Sequence, residues 1–154
     1  MRVLLVVDLQ KEFRDNSGNY ERILNFVRTN TTSRTDYDLV IALKCSNDMK
    51  SAFVKYNAWT KCLDGVEDLE FTPDVILHKT SYGLGGYNVL SKDNTYDIVG
   101  FNTDACVLKV ALDLFDRCHD FRVLTKYCYS SSGHEWHEIG IKTMKHLMKD
   151  AIIV

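Results

Sequence analysis

The stretch "YDIVGFNTDACVLKVALDLFDRC" (residues 96–118) joins a predicted strand directly to a predicted helix. Its first six residues form a mainly apolar run, as in strands that are covered on both faces. From residue 105 onward, apolar residues recur at the spacing of one helix face: Val107, Val110, Ala111, Leu114 and Phe115. A strand followed at once by a helix is the repeating unit of an α/β fold.

Five further apolar runs predict strands at residues 2–7, 39–44, 74–79, 121–125 and 151–154. Helical periodicity covers residues 19–30 and 134–149, while residues 45–73 are polar and irregular and predict a short helix within a long excursion. Strands that alternate with helices predict a three-layer α/β/α doubly wound fold with a mainly parallel, six-stranded sheet. The length of 154 residues predicts a single domain over residues 1–154.

The charge and the first apolar run of the chain argue against nucleic acid and membranes as partners, and the cysteines indicate its compartment. A formal net charge of −2 and a pI of about 6.2 give no basic footprint for nucleic acid or an anionic membrane. The first apolar run ends at Asp8, which is too early for a signal peptide or a membrane span. The five cysteines are an odd number without C-x-x-C spacing, which favours a reducing compartment. We therefore expect a cytoplasmic protein that binds neither nucleic acid nor membrane.

Ligands of parallel α/β sheets bind beyond the carboxyl ends of the strands. The polar residues at these positions are Asp8, Lys44, Lys79 and the segment 102–106. In the first helical turn the dipole alone lowers a thiol pKa by less than about one unit, so Cys106 needs a nearby cation and a base to become a nucleophile. Lys79 is the candidate for the cation and Asp8 for the base. With both nearby, we expect the pKa of Cys106 to be lowered. Alternatively, Cys106 is a small core residue on the face that carries Val110.

Three blocks carry a family resemblance: "LLVVDLQKEF" (4–13), "LHKTSYG" (77–83) and the stretch that begins "VGFNTDACV" (99–107). Together they resemble the isochorismatase-like cysteine hydrolases, which include nicotinamidases and N-carbamoylsarcosine amidases. The family pattern is an Asp that ends the first strand, a Lys that ends the third, and G-x-x-T-D-x-C-V at the start of a helix. The sequence matches it at Asp8, Lys79, Gly100, Thr103, Asp104, Cys106 and Val107.

The resemblance implies a Rossmann-like fold and a catalytic trio. Cys106 would attack a carbonyl carbon, Asp8 would move the proton, and Lys79 would balance the charge. The backbone N–H groups of Asn102 and Cys106 would form the oxyanion hole, next to a cis peptide bond between Phe101 and Asn102.

Four aromatic residues are candidates for contact with the substrate. Phe13 and Trp59 match aromatic positions that resemble the pocket wall of the family, although both would also be ordinary core residues. The Gly-rich stretch "YGLGGYN" (82–88) lacks the G-K-[ST] of a phosphate loop. We expect it to form a flexible lid, with Tyr82 or Tyr87 touching the substrate.

The nicotinamidases in this family carry a metal site after the second strand. The corresponding positions here hold Lys44, Ser46 and Lys50, and two ammonium groups with a hydroxyl do not make a zinc or iron site. "HEWHE" (134–138) spaces its histidines one residue too closely for a zincin motif. We therefore predict no metal and no cofactor. Lys44 and Lys50 would either attract a substrate carboxylate or lie solvated in a loop.

The sequence thus predicts a metal-independent cysteine hydrolase that cleaves the C–N bond of a small amide or carbamoyl substrate through a thioester, with nicotinamide as the first substrate to try. One alternative is isochorismatase-type vinyl-ether hydrolysis, which uses the Asp and Lys but commonly lacks the nucleophilic Cys. Another is a non-catalytic member that binds a small molecule or a protein. Relatives are commonly dimers or tetramers, so a homo-oligomer is also expected.

Overall fold

A computed structural model of the chain describes residues 1–65, 69–149 and 152–154. The strands are β1 (Arg2–Val7), β2 (Leu39–Cys45), β3 (Val75–Lys79), β4 (Thr95–Phe101) and β5 (Asp120–Tyr129). The helices are α1 (Asn19–Ser33), α2 (Ala52–Asn57), α3 (Leu108–Asp116) and α4 (His134–Met148). A short 3₁₀ turn at Lys11–Phe13 follows β1, and a π-helical turn at Thr103–Val107 precedes α3. The alternation confirms the predicted α/β class.

The sheet has the strand order β3-β2-β1-β4-β5, and its paired strands are all parallel. Val7 at the end of β1 lies opposite Leu43 and Gly100, and Lys79 at the end of β3 lies opposite Cys45. The polar residues that follow these strands therefore meet at one edge of the sheet, as the sequence predicts.

Both faces of the sheet are covered. Val3, Leu5 and Val7 of β1 pack into one hydrophobic cluster, while Leu4 and Val6 pack into the other. Helix α1 packs into the second cluster, and helices α3 and α4 pack into the first. Burial on both faces explains why the strands read as continuous apolar runs, and it produces the predicted three layers.

The prediction of six strands is wrong, because the described residues form five. At the carboxyl terminus, Ile153 makes a single bridge to Val123, and the Val123 N–H donates to the Ile152 carbonyl at 2.8 Å. Residue 151 of the predicted strand lies outside the described residues. β5 instead extends from the predicted 121–125 to Asp120–Tyr129, and its pairing with β4 shifts register between Ile98 and Gly100.

The helices follow the predicted periodicity, with differences at their ends. The helix predicted from residue 105 becomes α-helical only at Leu108, because the chain first makes the π-helical turn. In the irregular segment 45–73, the Ser51 hydroxyl accepts a hydrogen bond from the Val54 N–H at 3.2 Å and starts α2. Residues 66–68 of that segment lie outside the described residues. Within the described chain, no helix combines the length and apolar character needed to cross a membrane.

Candidate active site

A buried ion pair joins the ends of β1 and β3. Lys79 Nζ lies 2.8 Å from Asp8 Oδ2, and the two side chains are only 2% and 1% exposed. The ammonium group also donates to the Ser81 carbonyl at 3.0 Å. Because neither charge can reach water, each depends on the other for stabilisation.

The second oxygen of this carboxylate has no such partner. Asp8 Oδ1 is buried and accepts no hydrogen bond of normal geometry from any described residue. The Cys106 thiol lies close enough to the Asp8 carboxylate to interact with it. A buried acceptor that is left unsatisfied beside a thiol can take the proton of that thiol.

The π-helical turn places Cys106 at this edge of the sheet. The Asn102 carbonyl accepts hydrogen bonds from the Ala105 N–H at 3.1 Å and the Val107 N–H at 2.9 Å, which bracket Cys106. The Asn102 side chain accepts from the Ser131 N–H at 2.7 Å. The peptide bond between Phe101 and Asn102 is cis, which confirms that expectation. The N–H groups of Asn102 and Cys106 lie in this turn, and their role as an oxyanion hole stays a prediction.

Helix α4 supports the turn from behind. His137 Nδ1 and the buried Thr103 hydroxyl share a hydrogen bond of 2.8 Å. A Cβ atom added to Gly140 would lie 2.7 Å from the backbone of Thr103 and Asp104, so the helix packs directly on the turn. This close packing restricts the movement of the residue that carries the thiol.

Burial sets the protonation of the trio. Burial raises the pKa of Asp8 above its ordinary value, and the Lys79 charge and the contact with Cys106 offset only part of this. Burial alone would lower the pKa of Lys79, but the Asp8 carboxylate outweighs it and the pKa is raised. Burial and the neighbouring Asp8 raise the pKa of Cys106 well above its ordinary value, and Lys79 offsets this incompletely. The expectation of a lowered Cys106 pKa is therefore wrong, and the resting thiol is protonated.

A cavity of about 440 Å³ opens onto Asp8 and Cys106. Three of the predicted aromatic residues line it: Phe13, Trp59 and Tyr82. Phe13 and Trp59 stack with ring centroids 6.0 Å apart. The Phe53 ring packs edge-to-face against two of these rings, with centroid distances of 5.5 Å to Trp59 and 4.8 Å to Tyr82. Phe53 was not predicted from the sequence, although an aromatic residue beside a helix cap in a polar segment was an available signal.

Tyr87 occupies a different place from the one predicted. It is not among the residues that line the cavity, and its hydroxyl donates to the His78 carbonyl at 2.5 Å. Arg117 binds the Tyr87 carbonyl at 2.6 Å, and the Leu84 N–H donates to Asp113 Oδ2 at 2.7 Å. The Gly-rich loop is thus fastened to α3 and to the residue that follows it, which argues against a flexible lid.

The residues at the metal positions of the nicotinamidases do not fit a metal ion. Lys44 Nζ donates to the Gly65 carbonyl at 2.8 Å, and Ser46 Oγ shares a hydrogen bond of 2.6 Å with His78 Nδ1. Lys50 is exposed. Within residues 1–65, 69–149 and 152–154, no three His, Cys, Asp or Glu side chains are grouped so that they could hold a metal ion.

A role for these lysines in substrate binding finds no support in the geometry. Lys44 and Lys50 are absent from the described lining of the cavity, where the cationic side chains are Arg14 and Lys61. Arg14 already forms ion pairs with Glu21 at 3.0 Å and Glu70 at 2.9 Å.

Other lining residues were not predicted and come from separate parts of the chain: Cys45, Asn57, Ser131 and Ser132. Ser131 and Ser132 follow β5, and Cys45 ends β2. Asp8 and Lys79 were selected because ligands of parallel sheets bind at the carboxyl ends of the strands. The same criterion also selects Cys45, Ser131 and Ser132. Asn57 at the end of α2 had no sequence signal.

The sequence and the fold were compared with known proteins. The family model described as "Isochorismatase domain" matches residues 2–153, which is almost the whole chain. The chain belongs to the isochorismatase family. No curated protein matches the chain.

Solved structures share the fold of this isochorismatase-family protein at low sequence identity. An isochorismatase-like hydrolase from Alkaliphilus metalliredigens is 17% identical with a TM-score of 0.78, over 96% of this chain and 92% of that one. A pyrazinamidase/nicotinamidase from Streptococcus mutans is 16% identical with a TM-score of 0.75, over 100% of both chains. A nicotinamidase from Bacillus subtilis is 18% identical with a TM-score of 0.75, over 95% of both chains.

Proposed function

We propose that this isochorismatase-family hydrolase is a metal-independent amidase, which cleaves the C–N bond of a small amide or carbamoyl substrate through a thioester on Cys106. One observation carries the proposal. The Asp8 carboxylate is held by Lys79 through one oxygen, and its other oxygen accepts no hydrogen bond from a described residue, next to the buried thiol. A base with an available oxygen beside a nucleophile is the arrangement that covalent catalysis requires.

In the first half of the reaction, Asp8 Oδ1 takes the thiol proton while the Cys106 sulfur bonds to the substrate carbonyl carbon. The electron pair of the C=O π bond moves to oxygen, and the N–H groups of Asn102 and Cys106 donate to that oxyanion. The C=O bond then re-forms and the C–N bond breaks. The leaving nitrogen takes the proton from Asp8, so that an amine departs and a thioester remains.

In the second half, water attacks the thioester carbonyl carbon and Asp8 takes a proton from that water. The carbon–sulfur bond breaks, a carboxylic acid departs, and the proton on Asp8 returns to the sulfur. The net reaction adds one water molecule across the C–N bond. Lys79 keeps its charge throughout and stabilises the carboxylate form of Asp8 between the proton transfers.

The pKa directions suit this order of events. Because the pKa of Cys106 is raised, the resting site holds a neutral thiol rather than a thiolate. Because the pKa of Asp8 is raised above its ordinary value, this carboxylate is a stronger base than an exposed one. The proton therefore moves when the substrate is attacked, and the protein avoids a second buried anion at rest.

The aromatic wall favours a substrate with a flat, apolar group next to the amide. Phe13, Trp59 and Phe53 present ring faces and edges along one side of the cavity, and such rings pack well against another ring. Nicotinamide and pyrazinamide, the substrates implied by the names of two of the similar structures, have this shape. They are therefore the first amides to test.

The test is ammonia release from nicotinamide, pyrazinamide and simple carbamoyl amines, measured for the wild type, Cys106→Ala and Cys118→Ala. Cys118 is an exposed free cysteine outside the cavity, so its variant is the matched control. We expect kcat to fall on the order of 10⁴-fold or more in Cys106→Ala, because the covalent step is lost, and to stay unchanged in Cys118→Ala. The thermal melting curves of the three proteins should overlap closely enough to show that all are folded.

Two results would contradict the proposal. Unchanged turnover in Cys106→Ala would remove the nucleophile, and the absence of turnover with every amide would favour a vinyl-ether hydrolase or a binding protein. Dialysis against EDTA should leave the activity intact. Stoichiometric zinc or iron in the purified protein, lost together with activity, would contradict metal independence.

A further inference from the structure

A second cavity, here called the α3 groove, lies beside the catalytic cavity and has a volume of about 610 Å³. One wall is the Gly-rich loop and the other is the start of α3 with the turn before it. Its lining includes Tyr82, Gly83, Asp104, Ala105, Leu108 and Leu112. The proposed function leaves this groove without a role.

The α3 groove borders the catalytic cavity. Tyr82, Asp104 and Ala105 line both. Ala105 directly precedes the nucleophile Cys106 in the chain, and Tyr82 stands on the aromatic wall of the catalytic cavity. A molecule whose carbonyl lies at Cys106 can therefore extend into the groove past Ala105 and Tyr82.

The walls of the α3 groove are mainly apolar. Asp104, at the boundary with the catalytic cavity, has a buried oxygen without a hydrogen-bond partner among the described residues, but the charges beyond it are paired. Leu108 and Leu112 are only partly buried and present hydrocarbon surface. The charged side chains farther along the groove, Lys109 and Asp113, form an ion pair with each other. Asp113 also accepts the Leu84 N–H at 2.7 Å. Beyond Asp104, the groove thus favours an uncharged hydrocarbon over an anion or a cation.

The shape of the groove is held by the contacts of its loop wall. A Cβ atom added to Gly83 would overlap the Asp113 carboxylate, so the loop lies directly on the helix at that point. Arg117 binds the carbonyls of Gly85 at 3.1 Å and Tyr87 at 2.6 Å. A preformed apolar cavity of this size is typical of a ligand site rather than of a gap between moving segments.

We propose that the α3 groove binds a hydrocarbon arm on the acyl side of the amide, so that the preferred substrate is a primary amide with an alkyl or arylalkyl chain. The inference rests on the proposed function, because it places the substrate carbonyl at Cys106. The acyl chain stays attached to the enzyme in the thioester, and its contacts in the groove therefore persist through both halves of the reaction.

The test uses a series of straight-chain primary amides: acetamide, butyramide, hexanamide and octanamide. Binding to the Cys106→Ala protein is measured by ligand-observed NMR titration, which needs no hydrolysis. We expect Kd to fall by about fourfold for each methylene that enters the groove. For the wild type, KM should fall along the same series.

Two variants in the Cys106→Ala background locate the binding site. Leu112→Trp fills the groove and should flatten the dependence of Kd on chain length. Leu108→Gln makes the wall polar and provides the same test if Leu112→Trp does not fold. Phe115→Asp is the matched control, because Phe115 is an exposed apolar residue of α3 outside the lining, and it should keep the full dependence.

The outcomes separate this inference from the proposed function. Chain-length dependence in binding without hydrolysis by the wild type would leave the groove in place and remove the amidase proposal. Hydrolysis of small amides with no dependence of Kd on chain length would overturn the groove proposal alone. The groove proposal would also be overturned if Leu112→Trp changed the oligomeric state in light scattering while Kd still depended on chain length. The groove would then be a contact between copies of the chain.

Discussion

Two buried aspartates at opposite ends of the sheet receive very different surroundings. Asp97 lies near the start of β4, opposite Leu4, and Asp8 directly follows β1. Neither residue has measurable exposure to solvent. Asp97 accepts hydrogen bonds from Arg2 at 2.9 Å and from Arg122 at 2.8 Å.

The partners of the two carboxylates account for opposite pKa directions. Burial would raise the pKa of Asp97, but the hydrogen bonds from Arg122, Arg2 and Tyr37 outweigh it and hold the pKa below its ordinary value. At Asp8, burial outweighs a single lysine and the pKa is raised.

The comparison separates a structural role from a chemical one. At Asp97 both oxygens accept hydrogen bonds, so the carboxylate links Arg2 of β1 and Arg122 of β5 to β4 and also binds Tyr37. At Asp8 one buried oxygen accepts no hydrogen bond of normal geometry from the described residues and lies near the Cys106 thiol, which lowers stability and leaves a site for a proton. An unsatisfied buried oxygen beside a thiol, rather than the burial of a charge, distinguishes Asp8 from Asp97.

The largest expected effect is a loss of kcat when Asp8 is replaced. Asp8→Asn keeps the size of the side chain but removes the base, so kcat for the best amide should fall on the order of 10³-fold. Steady-state kinetics measures this, with circular dichroism to show that the fold is retained. Asp97→Asn, normalised to the folded fraction, should keep kcat within a few-fold. A similar loss of kcat in both variants would mean that Asp8 acts only through the fold.

The next effect is on stability and falls on the Asp97 side. Asp97→Asn leaves two half-exposed arginines without their shared carboxylate, and the free energy of unfolding should fall by about 1–2 kcal/mol at neutral pH. Because the folded pKa of Asp97 is lowered, its contribution is present above the ordinary Asp pKa and disappears as the pH falls through the folded value. Urea unfolding at several pH values checks both points. A difference between wild type and variant that persists at the lowest pH would contradict the assignment.

The smallest effect concerns the Cys106 thiol. The nearby Asp8 charge helps to raise the pKa of Cys106, so Asp8→Asn should lower it and speed alkylation by iodoacetamide near neutral pH. Peptide mass spectrometry follows Cys106, with the exposed Cys118 as the internal reference. In the wild type, Cys106 should react rapidly only at alkaline pH. Slower alkylation of Cys106 in Asp8→Asn would show that the carboxylate activates the resting thiol instead of holding it neutral.

Most of the fold and part of the site were accessible from the sequence. The alternation of apolar runs and helical periodicity predicted the layers, and the strand-end rule brought Asp8, Lys79 and Cys106 together because parallel strands end at one edge. The prediction of a sixth strand was wrong because Ile153 forms only one isolated bridge, to Val123. The apolar character of the segment does not reveal how many residues pair. Tyr87, predicted to touch the substrate, is not in the cavity lining, while Phe53, for which no prediction was made, is. The path of the Gly-rich loop depends on contacts such as the one with Arg117, which is distant in sequence.

The sequence by itself determined the α/β architecture, the family and the three residues that meet at the proposed catalytic edge, because these follow from local periodicity and from the order of motifs. The tertiary structure decided the protonation of those residues. The direction of a pKa shift depends on how completely distant segments exclude water and on which partners they bring, and here burial outweighs Lys79 at both Asp8 and Cys106. It also decided that an apolar groove borders the cavity, because that groove lies where the Gly-rich loop packs on α3.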